Sequence, residues 1–207
     1  MEAAAEPPES LSAIARKLPA EERRASIARA ARPLFARRGY AATTLDDIAA
    51  AAGVTKPIVY RHFGSKKGLY LALLRRHEED LPSFAEGIEG PATEGSAEDA
   101  LRAILGVWLD YVRANIDNWS LLFRDRSGDA EIQAFRTRVN VRAREVMAFL
   151  ITEWGGAAIP AEEVEPTAEL LTSGLAGMAL WWGDHPETPK DVLVEVAVRM
   201  TAPAFGG

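Results

Sequence analysis

Residues 43–69 read TTLDDIAAAAGVTKPIVYRHFGSKKGL, and this stretch decides the fold class. Within it, Thr44 and Asp47 form a threonine-x-x-acid pattern, which caps the start of a helix by satisfying free backbone N–H groups. Small residues follow, so this helix can pack closely against a neighbour. Gly53 ends the helix, because glycine adopts the left-handed backbone conformation at no steric cost. The stretch therefore begins with a short helix and a tight turn.

A second short helix follows the turn. Thr55 predicts its start, and Pro57 falls in its first turn, where the missing N–H is not needed. Gly64 ends this helix, and a third begins at Ser65 with two lysines behind it. A second helix of this kind enters the major groove of DNA, with its first residues at base edges and flanking groups on phosphates. The alternative is an ordinary helical hairpin with solvated polar residues, and the agreement among caps, glycines and exposed cations argues against it.

Residues 27–69 resemble the DNA-binding domain of the TetR family of bacterial transcriptional repressors. The residues that carry the resemblance are Ile27, Ala30-Ala31, Leu34-Phe35, Gly39-Tyr40, Thr43-Thr44, Ile48-Ala49, Ala52-Gly53-Val54, Tyr60, His62-Phe63 and Ser65-Lys66. Two positions depart from the family pattern. Gly68 stands where an acidic residue is usual, and Pro57 stands where glycine is common.

The resemblance also implies roles for individual residues. The residues that it implies contact phosphates are Thr44, Tyr60 and Lys66. The residues that it implies lie at or near base edges are Thr55, Lys56, Pro57, Val59 and His62. From the spacing itself we expect Ile58 to face the core and Val59 to project from the helix.

The composition limits the remaining possibilities. A chain of 207 residues, 48% of them hydrophobic, can bury a sizeable core as one domain or two small ones. The absence of cysteine excludes disulfides and thiolate metal sites and suits a reducing cytoplasm, which is the expected location. No apolar run approaches the roughly 20 residues of a membrane span, and no signal peptide opens the chain.

The net charge of −6 hides a strong asymmetry along the chain. Residues 1–77 carry 14 Lys and Arg against 7 Asp and Glu, a net +7, whereas residues 78–207 carry 10 against 23, a net −13. The basic part is attracted to a phosphate backbone and the acidic part is held away from it. We therefore expect a mobile tail over 1–20, a DNA-binding domain over 21–77, and an effector-binding and dimerisation domain over 78–207.

The sequence after residue 95 also predicts helices. Strand-like alternation is absent, and apolar residues recur at three- and four-residue steps over long segments. Together with the helices around the turn, these segments predict an all-α fold with about nine helices. A three-helix helix-turn-helix domain lies at the N-terminal end, and a helical ligand-binding and dimerisation domain follows it.

All five tryptophans lie in this second part. Each one alone is better explained as core filler or an interface anchor, but as a set they suit the walls of a cavity for a flat or apolar ligand. The residues that we expect to line this cavity are Trp108, Tyr111, Trp119, Phe123, Phe135 and Trp154. The resemblance adds that TetR-like regulators usually bind effectors among these helices. Six arginines between positions 124 and 144 leave an anionic effector open, although pairing with the surplus acidic residues explains them more simply.

The last two helices predict a dimer interface, since small residues allow close approach while tryptophan and methionine fill the remaining space. The residues of the expected interface are Leu171, Gly174, Leu175, Met178, Trp181 and Trp182 on one helix and Val192, Val196 and Met200 on the other. The alternative for each of them is burial within one subunit. TetR-like proteins pair through a four-helix bundle made from these positions, so the resemblance favours the interface.

These parts predict a dimeric DNA-binding regulator without a cofactor or a metal. A two-fold dimer presents two reading helices, which fit successive major grooves when they are about 34 Å apart. We expect a palindromic operator, repression, and release when a small, largely apolar or aromatic ligand favours a different spacing. The rival is a DNA-binding dimer without a small-molecule effector, controlled by protein partners or acting architecturally. An enzyme is disfavoured because the three histidines are scattered and no metal-spaced cluster, phosphate loop or nucleophile elbow occurs.

Overall fold

The regular structure of this protein is helical. A computed structural model describes residues 19–75, 97–124, 129–155 and 159–205. Within these ranges lie nine α-helices and one short 3₁₀ helix, which confirms the all-α prediction. The chain divides into two compact units at residues 75 and 76. Positions 1–18 of the expected tail and the expected domain boundary at 77 and 78 lie outside the described residues.

The first unit contains four helices around the predicted turn. Helix α1 spans Ala20–Ala42, α2 spans Leu45–Ala51, α3 spans Lys56–Phe63, and α4 covers the described residues 66–75. Helices α2 and α3 are the two short helices that the sequence predicts on either side of Gly53. Helix α2 packs against α1, and α3 packs against α2.

Gly39 bends α1 near its end. Its φ of 77° lies in the left-handed region, which glycine adopts without steric cost. Beyond the bend, the Tyr40 ring packs against Tyr70 of α4 with ring centroids 5.1 Å apart, and Phe35 packs edge-on against the same ring at 5.0 Å. This aromatic group ties α1 to α4. Other fully buried side chains of the unit include Ile27, Ala31, Ile48, Val59, Leu69 and Leu74.

The second unit contains five α-helices and the 3₁₀ helix. They are α5 (Ala97–Ala114), α6 (Ile116–Phe123), α7 (Ala130–Gly155), α8 (Ala161–Asp184), α9 (Lys190–Thr201) and the 3₁₀ helix Ala202–Phe205. Helix α7 packs along α8, and α9 packs along α5. None of the helices in the described ranges is long and apolar enough to cross a membrane.

Two hydrophobic clusters fill the second unit. The larger joins α5, α7, α8 and α9 and includes Leu109, Ile151 and Trp182. The indole Nε1 of Trp182 donates a hydrogen bond to the Thr188 carbonyl at 2.9 Å, so this buried polar group has a partner. The smaller cluster joins α5, α6 and α8 around Trp119.

Candidate nucleic-acid interface

Helix α3 presents one face to the core and the opposite face to solvent. Val59 is 0% exposed, whereas Pro57, Tyr60 and Arg61 are exposed. The prediction that Val59 lies at a base edge is therefore wrong, because this side chain packs inside the unit while Ile58 is half-buried beside it. The sequence did not distinguish the two positions, since both carry β-branched aliphatic residues in a helix of only eight residues. The corrected orientation turns α3 by about 100°, the angle of one residue in a helix.

Helix α2 begins with the cap that the sequence predicts. The Thr44 hydroxyl accepts a hydrogen bond from the Asp47 amide at 3.1 Å, and the Asp47 carboxylate accepts one from the Thr44 amide at 3.0 Å, which completes a capping box. The Thr44 hydroxyl also donates to the Asp47 carboxylate at 2.6 Å, and this bond, together with the one from the Thr44 amide, lowers the pKa of the Asp47 carboxyl. Gly53 has a φ of 62°, and the next amide, that of Val54, donates to the Ala49 carbonyl at 3.0 Å. The local hydrogen bonds therefore set the direction in which the chain leaves α2.

At the start of α3, the side chain of Lys56 is engaged in an ion pair, whereas that of Thr55 makes no capping hydrogen bond. Thr55 is the N-cap residue, but its side chain makes no capping hydrogen bond. Lys56 forms an exposed ion pair with Asp46 of α2, with 2.8 Å between Nζ and Oδ2, and this hydrogen bond raises the pKa of Lys56. Exposed pairs of this kind contribute little to stability, so DNA can compete for Lys56 at small cost.

The structure gives Lys66 a different role from the predicted phosphate contact. Its ammonium donates to the carbonyl oxygens of Tyr40 at 2.8 Å and Thr43 at 2.9 Å, and it lies 4.4 Å from the centroid of the Tyr40 ring. A third hydrogen bond reaches the Ala41 carbonyl at 3.3 Å, so all three donors of the ammonium are used. Lys66 closes the carboxyl end of α1, where a cation is favoured.

His62 is held against α1. Its ring Nε2 is buried and has no hydrogen-bond partner in the described part of the chain. Burial lowers the pKa of the ring, and the positive charges of Arg61, Arg23 and Arg24 lower it further. The His62 carbonyl accepts a hydrogen bond from Arg24, whose guanidinium lies 4.3 Å from the centroid of the Phe63 ring. The Nε2 edge is therefore not accessible to a base, and Arg24 fastens the end of α3 to the start of α1.

Part of the predicted ligand-lining set comes together in the second unit. The rings of Trp108 and Trp119 pack edge-on with centroids 5.7 Å apart, and Trp119 stacks on Phe123 at 5.0 Å. Tyr111 is half-buried on the same helix as Trp108. Trp108, Trp119 and Phe123 therefore form a compact aromatic group on α5 and α6, which packs against Ala176 and Ala179 of α8.

Phe135 and Trp154 lie on α7, outside the aromatic group on α5 and α6. Phe135 is buried on α7 with the guanidinium of Arg138 5.2 Å from its ring centroid, and Trp154 packs against the larger core cluster. Both belong to the single 26-residue helix α7, in which 19 positions correspond to about 28 Å along the axis. The expectation that both line one small cavity is therefore wrong.

Several of the clustered arginines are engaged within the second unit. Arg124 pairs with Asp184 at 2.7 Å, and Arg144 pairs with Glu169 at 3.1 Å. Arg136 is buried and donates to a backbone carbonyl of α6. These contacts favour the simpler interpretation of the arginine cluster, in which its members pair with acidic residues and close helix ends.

Helices α8 and α9 each have a side on which apolar residues are uncovered, and we call these two sides together the α8–α9 stripe. Its residues are Leu170, Gly174, Gly177 and Trp181 on α8 and Val192, Val196 and Met200 on α9. The steps of three and four residues place each set on one side of its helix. A Cβ atom added at either glycine would meet open space, so no described residue covers the small positions.

Two of the predicted interface residues are buried within their own unit instead. Leu171 and Trp182 belong to the larger core cluster, and Leu175 and Met178 are partly buried against it. Leu170, the neighbour that the sequence reading passed over, is exposed on the stripe. The phase was ambiguous because α8 carries apolar residues around much of its circumference.

Comparison with known proteins identifies the family. Residues 27–73 match the family model described as bacterial regulatory proteins, tetR family. Over 194 residues the chain is 38% identical to the HTH-type transcriptional activator FasR of Mycolicibacterium smegmatis, and the match covers 92% of this chain and 85% of FasR. The chain belongs to the TetR family. Its resemblance to that family over residues 27–69 is thereby confirmed.

Solved structures of TetR-like proteins share this fold. A TetR-like transcriptional regulator from Rhodococcus sp. RHA1 is 25% identical, with a TM-score of 0.73 over 92% of this chain and 100% of its own. The regulator FadR of Bacillus subtilis, in complex with stearoyl-CoA, has a TM-score of 0.68 over 88% of this chain and 98% of its own at 14% identity. The second likeness concerns the fold alone.

As a TetR-family protein, this chain is a transcriptional regulator, and its relatives are named as regulators rather than enzymes. Some are named activators and others repressors, so the family does not fix the direction of control. In the ranges that the structure describes, no three His, Asp or Glu side chains are grouped to hold a metal ion.

Proposed function

We propose that this TetR-family regulator is a homodimer that binds a palindromic operator as a repressor and leaves it when a small, largely apolar or aromatic ligand binds. The observation that carries the proposal is the presence, in one chain, of a reading helix with a solvent-facing polar side and a helical stripe of uncovered apolar residues. The first serves DNA recognition and the second serves pairing of two copies.

The dimer is supported by the α8–α9 stripe. Met200 is 64% exposed and Trp181 46%, values that are high for large apolar side chains. The glycines between them allow a second helix to approach closely. A two-fold interface places the same surface on both copies, so an apolar stripe is complementary to itself. The pairing of α8 and α9 with their counterparts makes a four-helix arrangement.

DNA binding by α3 is supported by its exposed side and by the basic charge around it. The residues that we propose contact DNA from the predicted set are Thr44, Thr55, Lys56, Pro57 and Tyr60. Residues 1–77 carry a net charge of +7, which attracts phosphates whatever the base sequence. Two copies related by a two-fold axis read two half-sites, so the operator is palindromic.

Ligand binding is supported by the aromatic group of Trp108, Trp119 and Phe123. Helix α8 borders it, and on that helix Thr172 lies one turn before Ala176, a member of the same cluster. The Thr172 hydroxyl oxygen is buried without a hydrogen-bond partner among the described residues. A buried polar atom without a partner is unusual in a folded protein, and a ligand hydroxyl or carbonyl would satisfy it. The effector is therefore a mainly apolar molecule with a polar group.

Regulation follows from linkage between the ligand and DNA. A ligand that binds better to a dimer with the wrong half-site spacing must weaken DNA binding by the ratio of its affinities for the two forms. Couplings of about 1–3 kcal/mol are typical, which correspond to about 5- to 150-fold in operator affinity. FadR of Bacillus subtilis, which shares this fold, is described in complex with stearoyl-CoA, a molecule with a long apolar chain, and this supports ligand binding by the chain.

Selection of bound duplexes from random DNA, followed by native mass spectrometry of the complex, tests the proposal. We expect an inverted repeat with two protein copies bound, and a ligand that co-purifies with the protein should release the DNA. Transcription from the selected site should then rise when that ligand is added. An asymmetric consensus, a single bound copy or no sequence preference would contradict the proposal. A fall in transcription on adding the ligand would instead show an activator, the direction named for FasR.

A further inference from the structure

The geometry points to Arg61 as a specificity-determining residue that reads a guanine in each half-site. This inference rests on the proposed DNA-binding function and adds a residue that the sequence analysis did not select. The Arg61 side chain is exposed on α3 and makes no hydrogen bond or ion pair with the described residues. Its guanidinium is therefore available to a ligand without breaking a contact of the folded protein.

The burial of Val59 fixes the direction in which Arg61 points. Residues two positions before and after a given residue lie about 160° around an α-helix from it. Pro57 and Arg61 therefore lie almost opposite Val59, about 40° from each other, on the side furthest from the core. If Ile58 were the inward residue, Arg61 would lie only about 60° from the core direction. The corrected orientation of α3 is thus what brings Arg61 to the outer face.

The other exposed side chains of α3 are less suited to reading a base. Pro57 has no donor, and the Tyr60 hydroxyl offers a single one. The ammonium of Lys56 is a point donor and is 2.8 Å from the Asp46 carboxylate. Arginine carries a planar fork of donors that bonds simultaneously to O6 and N7 of guanine, the commonest specific contact in the major groove. Among these residues Arg61 is the one that combines this donor fork with a charged group not already paired to a carboxylate among the described residues.

A phosphate contact is the competing role for Arg61, and the two roles have different signatures. A base contact discriminates among sequences and leaves the number of neutralised phosphates unchanged. A phosphate contact weakens binding to all sequences equally and changes the salt dependence by about one unit of slope when it is lost. Measurement of both quantities on the same variants separates the roles.

The experiment uses the full-length protein and a duplex selected by the wild-type protein from random DNA. Operator affinity is measured against each single base-pair change in one half-site, at several salt concentrations, for wild type, Arg61→Ala, Arg61→Lys and Arg29→Ala. Arg29 is also exposed but lies on α1, so its loss controls for removal of one positive charge. Circular dichroism and thermal unfolding show whether each variant is folded like the wild type.

We expect one G·C pair per half-site whose replacement weakens the wild type about 5- to 150-fold. Arg61→Ala should bind the original and the replaced site equally, with an unchanged salt slope, and Arg61→Lys should keep only part of the preference. An unchanged preference in Arg61→Ala, or a uniform loss with a smaller slope, overturns the inference while leaving the proposed function intact. If the wild-type protein selects no DNA sequence, both the proposed function and the role of Arg61 are refuted.

Discussion

Replacement of Met200 with alanine tests whether the α8–α9 stripe is buried between two copies. Full burial of a methionine side chain contributes roughly 1.5–3 kcal/mol. Because 64% of Met200 is exposed in one chain, covering it contributes about 1–2 kcal/mol per copy. A two-fold interface contains the residue twice, so Met200→Ala should weaken the dimer by about 2–4 kcal/mol. At 1.4 kcal/mol per tenfold change, the dimer Kd should rise about 30- to 700-fold.

Sedimentation equilibrium over a range of concentrations measures the dimer Kd. Phe149→Ala is the matched control, since Phe149 is 60% exposed but lies on α7, outside the stripe. We expect this control to associate like the wild type. Equal weakening by the two substitutions, or no weakening by Met200→Ala, would refute the assignment of the interface to the stripe.

Three further predictions concern stability, and urea unfolding measures each of them. Gly68→Ala should destabilise the protein by about 1–3 kcal/mol, because a Cβ there overlaps the carbonyl oxygen at the end of α3; Gly106→Ala, which meets open space within a helix, should not. Thr44→Ala should cost about 0.5–2 kcal/mol through loss of the α2 cap, and Thr44→Ser should retain most of it. The difference between Thr44→Ala and wild type should depend on pH, because the cap lowers the pKa of Asp47 in the folded state. The part of this difference that comes from the bond between the Thr44 hydroxyl and the Asp47 carboxylate is complete above the ordinary carboxyl pKa of about 3.9 and is lost as the pH falls through the lower folded-state pKa, so a difference that does not shrink in acid would contradict that bond.

The features that the sequence predicted correctly depend on neighbours along the chain. The capping box joins Thr44 to Asp47, three positions apart, and Gly53 marks the turn through its own backbone preference. Such short-range interactions are visible in a single sequence because both partners stand in one short motif. The helical class and the approximate number of helices could also be predicted, because apolar spacing and helix ends are read from residues that are close together in the sequence.

The features that were missed depend on tertiary packing. The contacts of Lys66 with Tyr40 and of Arg24 with His62 join residues that are 26 and 38 positions apart. Whether Ile58 or Val59 is the core residue depends on how α3 packs against its neighbours. The helix propensities of isoleucine and valine are too similar to distinguish the two positions. Periodicity shows that a helix has an apolar side, but it does not locate that side when apolar residues occur in adjacent positions.

The second unit shows the same limit for a functional site. Tryptophans identify a region rich in large aromatic side chains, and three of the six predicted lining residues do meet there. Phe135 and Trp154 were grouped with them because composition does not record distance along a long helix. Only the fold separates the residues of one site from residues of the same chemical type elsewhere.

We propose that two copies of α3 read two half-sites one helical turn apart. Hydroxyl-radical footprinting of the full-length protein on its selected duplex measures this spacing directly. We expect protected positions on both strands that are related by a two-fold axis, with half-site centres separated by about 10 base pairs. A single protected patch, or protection without two-fold symmetry at saturating protein, would contradict it.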